Sequence, residues 1–151
     1  MAKRRSFKDP IPKNAPAKAE PLGWVYVSAK SQGVRADPKT GGIAHALIDT
    51  GASGSAISES LAAFLDGPIL KTTIRAAGRG DERFKVIRVR LAGPRCRWID
   101  IHAAVSDELV SCAGEGIDMV LGTDYLNKNK VKICLAENPS EAGFSCDPED
   151  T

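Results

Sequence analysis

An apolar run ends in an acid: Ala46, Leu47 and Ile48 lead straight into Asp49, and Thr50, Gly51, Ala52 and Ser53 follow. A carboxylate closing a buried strand is costly unless donors hold it. A turn of Thr, Gly, Ala and Ser offers backbone amides and hydroxyls with little bulk, enough to stabilise the charge through charge-assisted hydrogen bonds. Gly51 allows a sharp turn and brings its own N–H near the acid. A carboxylate set this way is presented rather than hidden. A plainer reading is an Asx turn, in which Asp49 caps its own backbone and helps to start the next helix.

Other chemistries are less well supported. His45 shares one side of the strand with Asp49, and with Ser53 or Ser55 it could form a hydrolase triad, but no Gly-x-Ser-x-Gly elbow is present. His45 reads as a strand-surface residue and His102 as structural. Neither His has a second ligand at metal-like spacing, and Cys96, Cys112, Cys134 and Cys146 are too irregular for a zinc pattern. No metal and no cofactor are expected.

A second segment decides between the readings. Ile117-Asp118-Met119-Val120-Leu121-Gly122-Thr123-Asp124-Tyr125-Leu126 reads as an apolar strand, a glycine and a short helix. With both segments in hand, the chain over residues 22–135 resembles the retropepsin-like aspartic peptidases, the single-domain, dimeric relatives of pepsin. There a strand ending Leu-Leu-Asp-Thr-Gly-Ala enters the catalytic turn, and an Ile-Leu-Gly-x-Asp/Asn-x-Leu strand and helix follow. The resemblance implies that Asp49 is the catalytic aspartate and that Thr50 bonds across a dimer to hold both loops. Gly51, Ala52 and Ser53 complete the loop. It also implies a hairpin flap over bound peptide, matched by Ala76, Ala77, Gly78, Arg79 and Gly80, whose glycines suit a mobile lid. Two features depart from the pattern. Arg79, Asp81 and Glu82 charge the flap tip, and Thr123 stands where retroviral members carry an Arg that ties the subunits together.

Cleaving a peptide bond with an activated water needs two carboxyl groups sharing one proton, one taking a proton from water and the other donating to the carbonyl oxygen. Two such groups in close contact cannot both ionise, so the pair titrates in two separated steps. No second Asp-Thr-Gly or Asp-Ser-Gly occurs in the sequence. The partner carboxylate is therefore expected from a second copy in a two-fold homodimer. The function expected is an aspartic endopeptidase acting on a polypeptide laid into the groove as an added strand. The alternative is a peptide-binding or dimerisation module on the same fold with little turnover.

These residues need a scaffold. The chain has 151 residues, 42% of them hydrophobic and 26% charged, which fits one compact domain. Alternation and β-branched content predict strands over 23–31, 42–49, 69–76, 83–91, 97–105, 118–121 and 131–135. Helices are predicted over 56–65, with Ser55 or Ser58 as cap, and 124–128. The fold class expected is mostly β, a retropepsin-like closed barrel or acid-protease lobe with one or two short helices. Residues 1–21 read as a basic, Pro-containing flexible tail, 22–136 as the peptidase domain and 137–151 as a C-terminal tail.

The head carries Lys3, Arg4, Arg5, Lys8, Lys13 and Lys18 against Asp9 and Glu20. Nucleic-acid binding through residues 1–20 is the less favoured reading beside a solvated tail, because no aromatic platform is interleaved with the charges. No stretch has the length of a membrane span, and no apolar run of a secretory signal follows the basic start. A cytoplasmic protein with free thiols is expected.

Overall fold

The computed structural model describes residues 6–9, 22–28, 41–67, 69–71, 84–93, 96–114, 116–134 and 143–146. In chain order they form β1 (Leu22–Ser28), β2 (Gly42–Ile48), β3 (Ser55–Ile57), α1 (Glu59–Leu65), β4 (Ile69–Lys71), β5 (Lys85–Ala92) and β6 (Ile99–Val105). Then come α2 (Asp107–Ser111), β7 (Met119–Leu121), α3 (Thr123–Leu126), β8 (Val131–Cys134) and β9 (Gly143–Cys146).

Six strands close on themselves in the order β1-β2-β7-β3-β6-β5, with β5 returning to β1 and β4 added at the edge of β5. Closure removes exposed strand edges, and a barrel this small is filled by its own side chains. The alternation along β2 shows how. Gly42, Ala44, Ala46 and Ile48 are buried, while Ile43, His45 and Leu47 are half-buried on the outer side. Val25 and Val27 of β1, Val89 and Leu91 of β5, and Ile101 of β6 meet them inside. The fold class expected from sequence, mostly β and barrel-like with short helices, is the one observed.

The central arrangement is the placement of β7. It runs parallel to β2, with Ile48 opposite Leu121, and antiparallel to β3, with Ala56 opposite Val120. Strands β2 and β3 are therefore held apart by β7, and the turn joining them must cross its end. That turn is 49–54.

Several elements differ from expectation. The helix predicted over 56–65 starts later, because Ser55, Ala56 and Ile57 are drawn into the gap between β7 and β6 as a strand. Of the two candidate caps, Ser58 takes the role, accepting the Leu61 N–H at 3.1 Å. Helix α2 was not anticipated, although Ser106 caps it and Asp107 and Glu108 favour its first turn. Strand β9 falls in the stretch read as a C-terminal tail and pairs with β8 from Val131–Cys146 to Cys134–Gly143.

The thiol expectation is corrected. Cys96 and Cys146 form a disulfide, with Cα atoms 5.0 Å apart, that fastens β9 to the loop before β6. Cys112 is a free, exposed thiol. The pairing follows from β9, whose return along β8 carries Cys146 to Cys96. Part of the head expected to be a flexible tail is docked as well. Phe7 is buried in the core cluster with its ring 5.4 Å from that of Phe64, and its carbonyl accepts the Ile43 N–H at 2.8 Å. Gly42 makes the room, since a Cβ there would meet the Phe64 ring at 2.6 Å and the Phe7 carbonyl at 2.9 Å.

Candidate active site

Asp49 follows the last residue of β2 and is exposed. Its backbone extends the sheet by one step, because its N–H donates to the Leu121 carbonyl at 2.9 Å. Its carboxylate is oriented locally: Oδ1 accepts the Gly51 N–H at 2.9 Å. The chain then turns back, the Ala52 N–H donating to the Asp49 carbonyl at 3.2 Å. The geometry is that of an Asx turn, so the plain local motif and the presented acid are one structure. Among the described residues the glycines with positive φ are Gly114 and Gly116, and Gly51 is not one of them. Its requirement is proximity, since a Cβ there would lie 3.3 Å from Asp49 Oδ1.

The far side of the turn is tied to the start of α3. The Thr123 N–H donates to the Ala52 carbonyl at 2.8 Å, and Thr123 Oγ1 donates to the Ser53 carbonyl at 3.4 Å. Thr123 thus binds the chain's own loop through both its backbone and its side chain. Gly122 lies beneath the turn so closely that a Cβ would sit 2.6 Å from the carbonyl oxygens of both Ala52 and Gly54. Ser55 completes the tie: its Oγ accepts the buried Gly122 N–H at 3.1 Å and donates to Asp124 Oδ1 at 2.7 Å. Asp124 Oδ1 also accepts the Tyr125 N–H at 2.8 Å. Tyr125 anchors α3 in the core, and burial pushes its phenol from 10.0 up to about 12 against the opposing effect of a hydrogen bond with Asn129.

The structure thus brings together Asp49, Gly51, Ala52 and Ser53 in one loop, with Thr50 exposed at its crest. Sequence reasoning overlooked the supports Ser55, Gly122, Thr123 and Asp124. The signal was present, for a glycine and three small or acidic residues interrupt otherwise apolar stretches, and buried polar groups of that kind need partners. The flap residues Ala76, Ala77, Gly78, Arg79 and Gly80 lie outside the described residues. His45 does not face the loop chemistry. Its Nδ1 lies 3.2 Å from the Gly116 carbonyl and its N–H donates to Asp118 Oδ2 at 2.8 Å, so it belongs to the opposite end of the β2–β7 pair. Among the described residues no cluster of His, Cys, Asp and Glu could hold a metal ion.

A single exposed carboxylate, fixed at one oxygen and backed by a pinned loop, can accept or deliver one proton. It cannot alone serve as both acid and base. Comparison with known proteins gives the same region. The family described as "Aspartyl protease" matches residues 40–125. No curated protein matches the chain. Among solved structures, EIAV protease complexed with the inhibitor HBY-793 is 19% identical over 83% of this chain and 100% of its own, with a TM-score of 0.48. The retroviral protease-like domain of Ddi1 from Leishmania major is 15% identical over 84% of this chain and 90% of its own, with a TM-score of 0.47.

Proposed function

Since the chain belongs to the aspartyl protease family, its matched segment covering residues 40–125, we propose that it is an aspartic endopeptidase whose active centre forms when two copies bring their Asp49 side chains together. The observation that carries this reading is the state of Asp49: solvent-facing, yet held through its backbone by β7 and through Oδ1 by Gly51. An acid rigidly offered at the surface is half of a dyad.

In the paired state the two carboxyls share one proton. The ionised one draws a proton from water, the water attacks the scissile carbonyl, and the protonated one donates to the carbonyl oxygen. The carboxyl that took the water proton then gives it to the amine nitrogen as the C–N bond breaks, the other takes a proton from a hydroxyl of the tetrahedral diol, and the dyad returns to its starting protonation state. Each chain's contribution is to keep its loop from relaxing as charge moves between the acids, which is the work of Thr123, Ser55 and Gly122 beneath it. Substrate would lie extended across the site, its backbone adding a strand and its alternate side chains entering pockets.

The test is digestion of a peptide library from about pH 3 to 8, with and without a peptide mimic bearing a hydroxyl in place of the scissile carbonyl. Cleavage that the mimic blocks supports the reading. Tight binding of library peptides with no cleavage at any pH would favour a binding module on the same fold.

A further inference from the structure

At the other end of the barrel, β1, β5 and β6 present a face that peptide hydrolysis does not use. We infer that this outer face is a docking surface for single-stranded nucleic acid, with Tyr26 and Trp98 as its stacking platform and Arg88, Arg90 and Arg97 around it. The strand register builds the surface in rows. Tyr26 lies opposite Ala92, and Trp98 reaches the same row because the next residue, Ile99, pairs inward with Leu91. With only a methyl between them, the two rings approach to 6.4 Å between centroids at 40°, and Tyr26 is 41% exposed. The adjoining rows bring Arg90 opposite Asp100 and Arg88 opposite His102. Arg97 is exposed beside Trp98 and donates to the Lys128 carbonyl at 3.0 Å, while Lys128 donates to the Asp100 carbonyl.

Among the described residues of these rows, the cations Arg88, Arg90, Arg97 and Lys128 outnumber the one carboxylate, that of Asp100. Arg90 Nε and Asp100 Oδ1 are each buried without a hydrogen-bond partner, so these cross-strand neighbours do not satisfy one another. Residues along one face of a strand repeat every about 6.7 Å, comparable to the phosphate repeat of an extended single strand. Aromatic rings flanked by cations suit bases and phosphates together, whereas an acidic polypeptide would use the cations and leave the rings idle.

A second observation points the same way. The Phe7 carbonyl accepts the Ile43 N–H and Ile43 pairs with Tyr26, so Lys8, whose Nζ donates to the Gly41 carbonyl at 2.7 Å, adds a cation at this end of the barrel. Lys8 and the aromatic pair, which are separate in sequence, lie toward the same end of β1 and β2. Asp49 follows the opposite end of β2, leaving this face clear of the proposed dyad.

The test is fluorescence anisotropy of full-length protein with labelled oligothymidylate and oligouridylate of about 16 nucleotides, titrated at several salt concentrations. Duplex DNA and polyglutamate are the comparison ligands. The expected result is salt-dependent binding of both single strands, with quenching of tryptophan fluorescence. Binding should weaken about tenfold or more in Arg88→Glu/Arg97→Glu, with a salt slope shallower by about 2, and should also weaken in Trp98→Ala. Arg97→Glu alone, at an exposed position, carries the test if the double variant does not fold. Absence of salt-dependent binding would overturn the inference. So would equally tight binding of polyglutamate or duplex, or binding that vanishes on deleting residues 1–5, which leaves Phe7 in the core, yet is unchanged in the charge-reversed variants.

Discussion

Asp49 and Asp118 bracket the same pair of parallel strands and are put to opposite uses. Asp118 precedes β7 and is 7% exposed, its Oδ2 accepting the His45 N–H while its own N–H and carbonyl bond to β2 and to Ser58. Asp49 follows β2, is exposed, and engages one carboxylate oxygen with Gly51. One acid closes the strand pair and the other is held out from it. Within this strand pair, burial and the number of backbone partners separate the two acids, which residue type alone does not. The packing beneath follows the same division, since the Asp49 loop rests on Gly122, whereas Asp118 is wrapped by backbone on both sides.

The contrast can be broken by exchange of roles. Asp49→Asn should lower peptide cleavage by about 10^2- to 10^4-fold, the usual worth of a general acid or base, with little change in melting temperature. Asp118→Ala should do the reverse, costing about 1 to 3 kcal/mol in denaturant unfolding because the His45 N–H loses its acceptor. Cleavage per folded molecule should survive.

Smaller effects sharpen the same division. Gly122→Ala forces a methyl against two carbonyls of the Asp49 loop, so it should cost about 1 to 3 kcal/mol and slow cleavage as well, detectable by pairing a melt with a kinetic assay. Ser55→Ala should cost about 1 to 2 kcal/mol, since it strands the Gly122 N–H. At neutral pH the smallest effect is that of Tyr125. Its phenol keeps its proton in the fold up to about 12 but loses it near 10.0 in the unfolded chain, so the stabilisation is complete below 10.0 and declines as pH rises through that window. The loss should approach about 2 to 3 kcal/mol, and in Tyr125→Phe the slope of stability against pH over this window should become shallower by that amount.

The acid turn was legible because it combines a period-two apolar run with small residues at a point where only a turn is sterically easy. The barrel was legible for a related reason: Val25 and Val27, Ala44 and Ala46, and Val89 and Leu91 alternate with outward-facing residues. What escaped were elements whose cause is tertiary. Ser55, Ala56 and Ile57 carry no strand pattern of their own and become a strand because β6 and β7 flank them. Gly143 to Cys146 is too short to declare itself and is fixed by β8 and the Cys96 disulfide. Phe7 stands alone in a Pro-rich head, and only the space left by Gly42 reveals where it goes. Local pattern shows which face is apolar, but not which distant residue will fill a gap.

The claim that two chains share one active centre is tested most directly by mixing. A fixed amount of active chain is combined with increasing amounts of Asp49→Asn chain, and cleavage is measured after the subunits have exchanged. If each site needs an Asp49 from both copies, activity falls steadily toward zero as mixed pairs replace active ones. Activity that stays constant under a large excess of the variant would show that one chain cleaves alone, and would contradict the account.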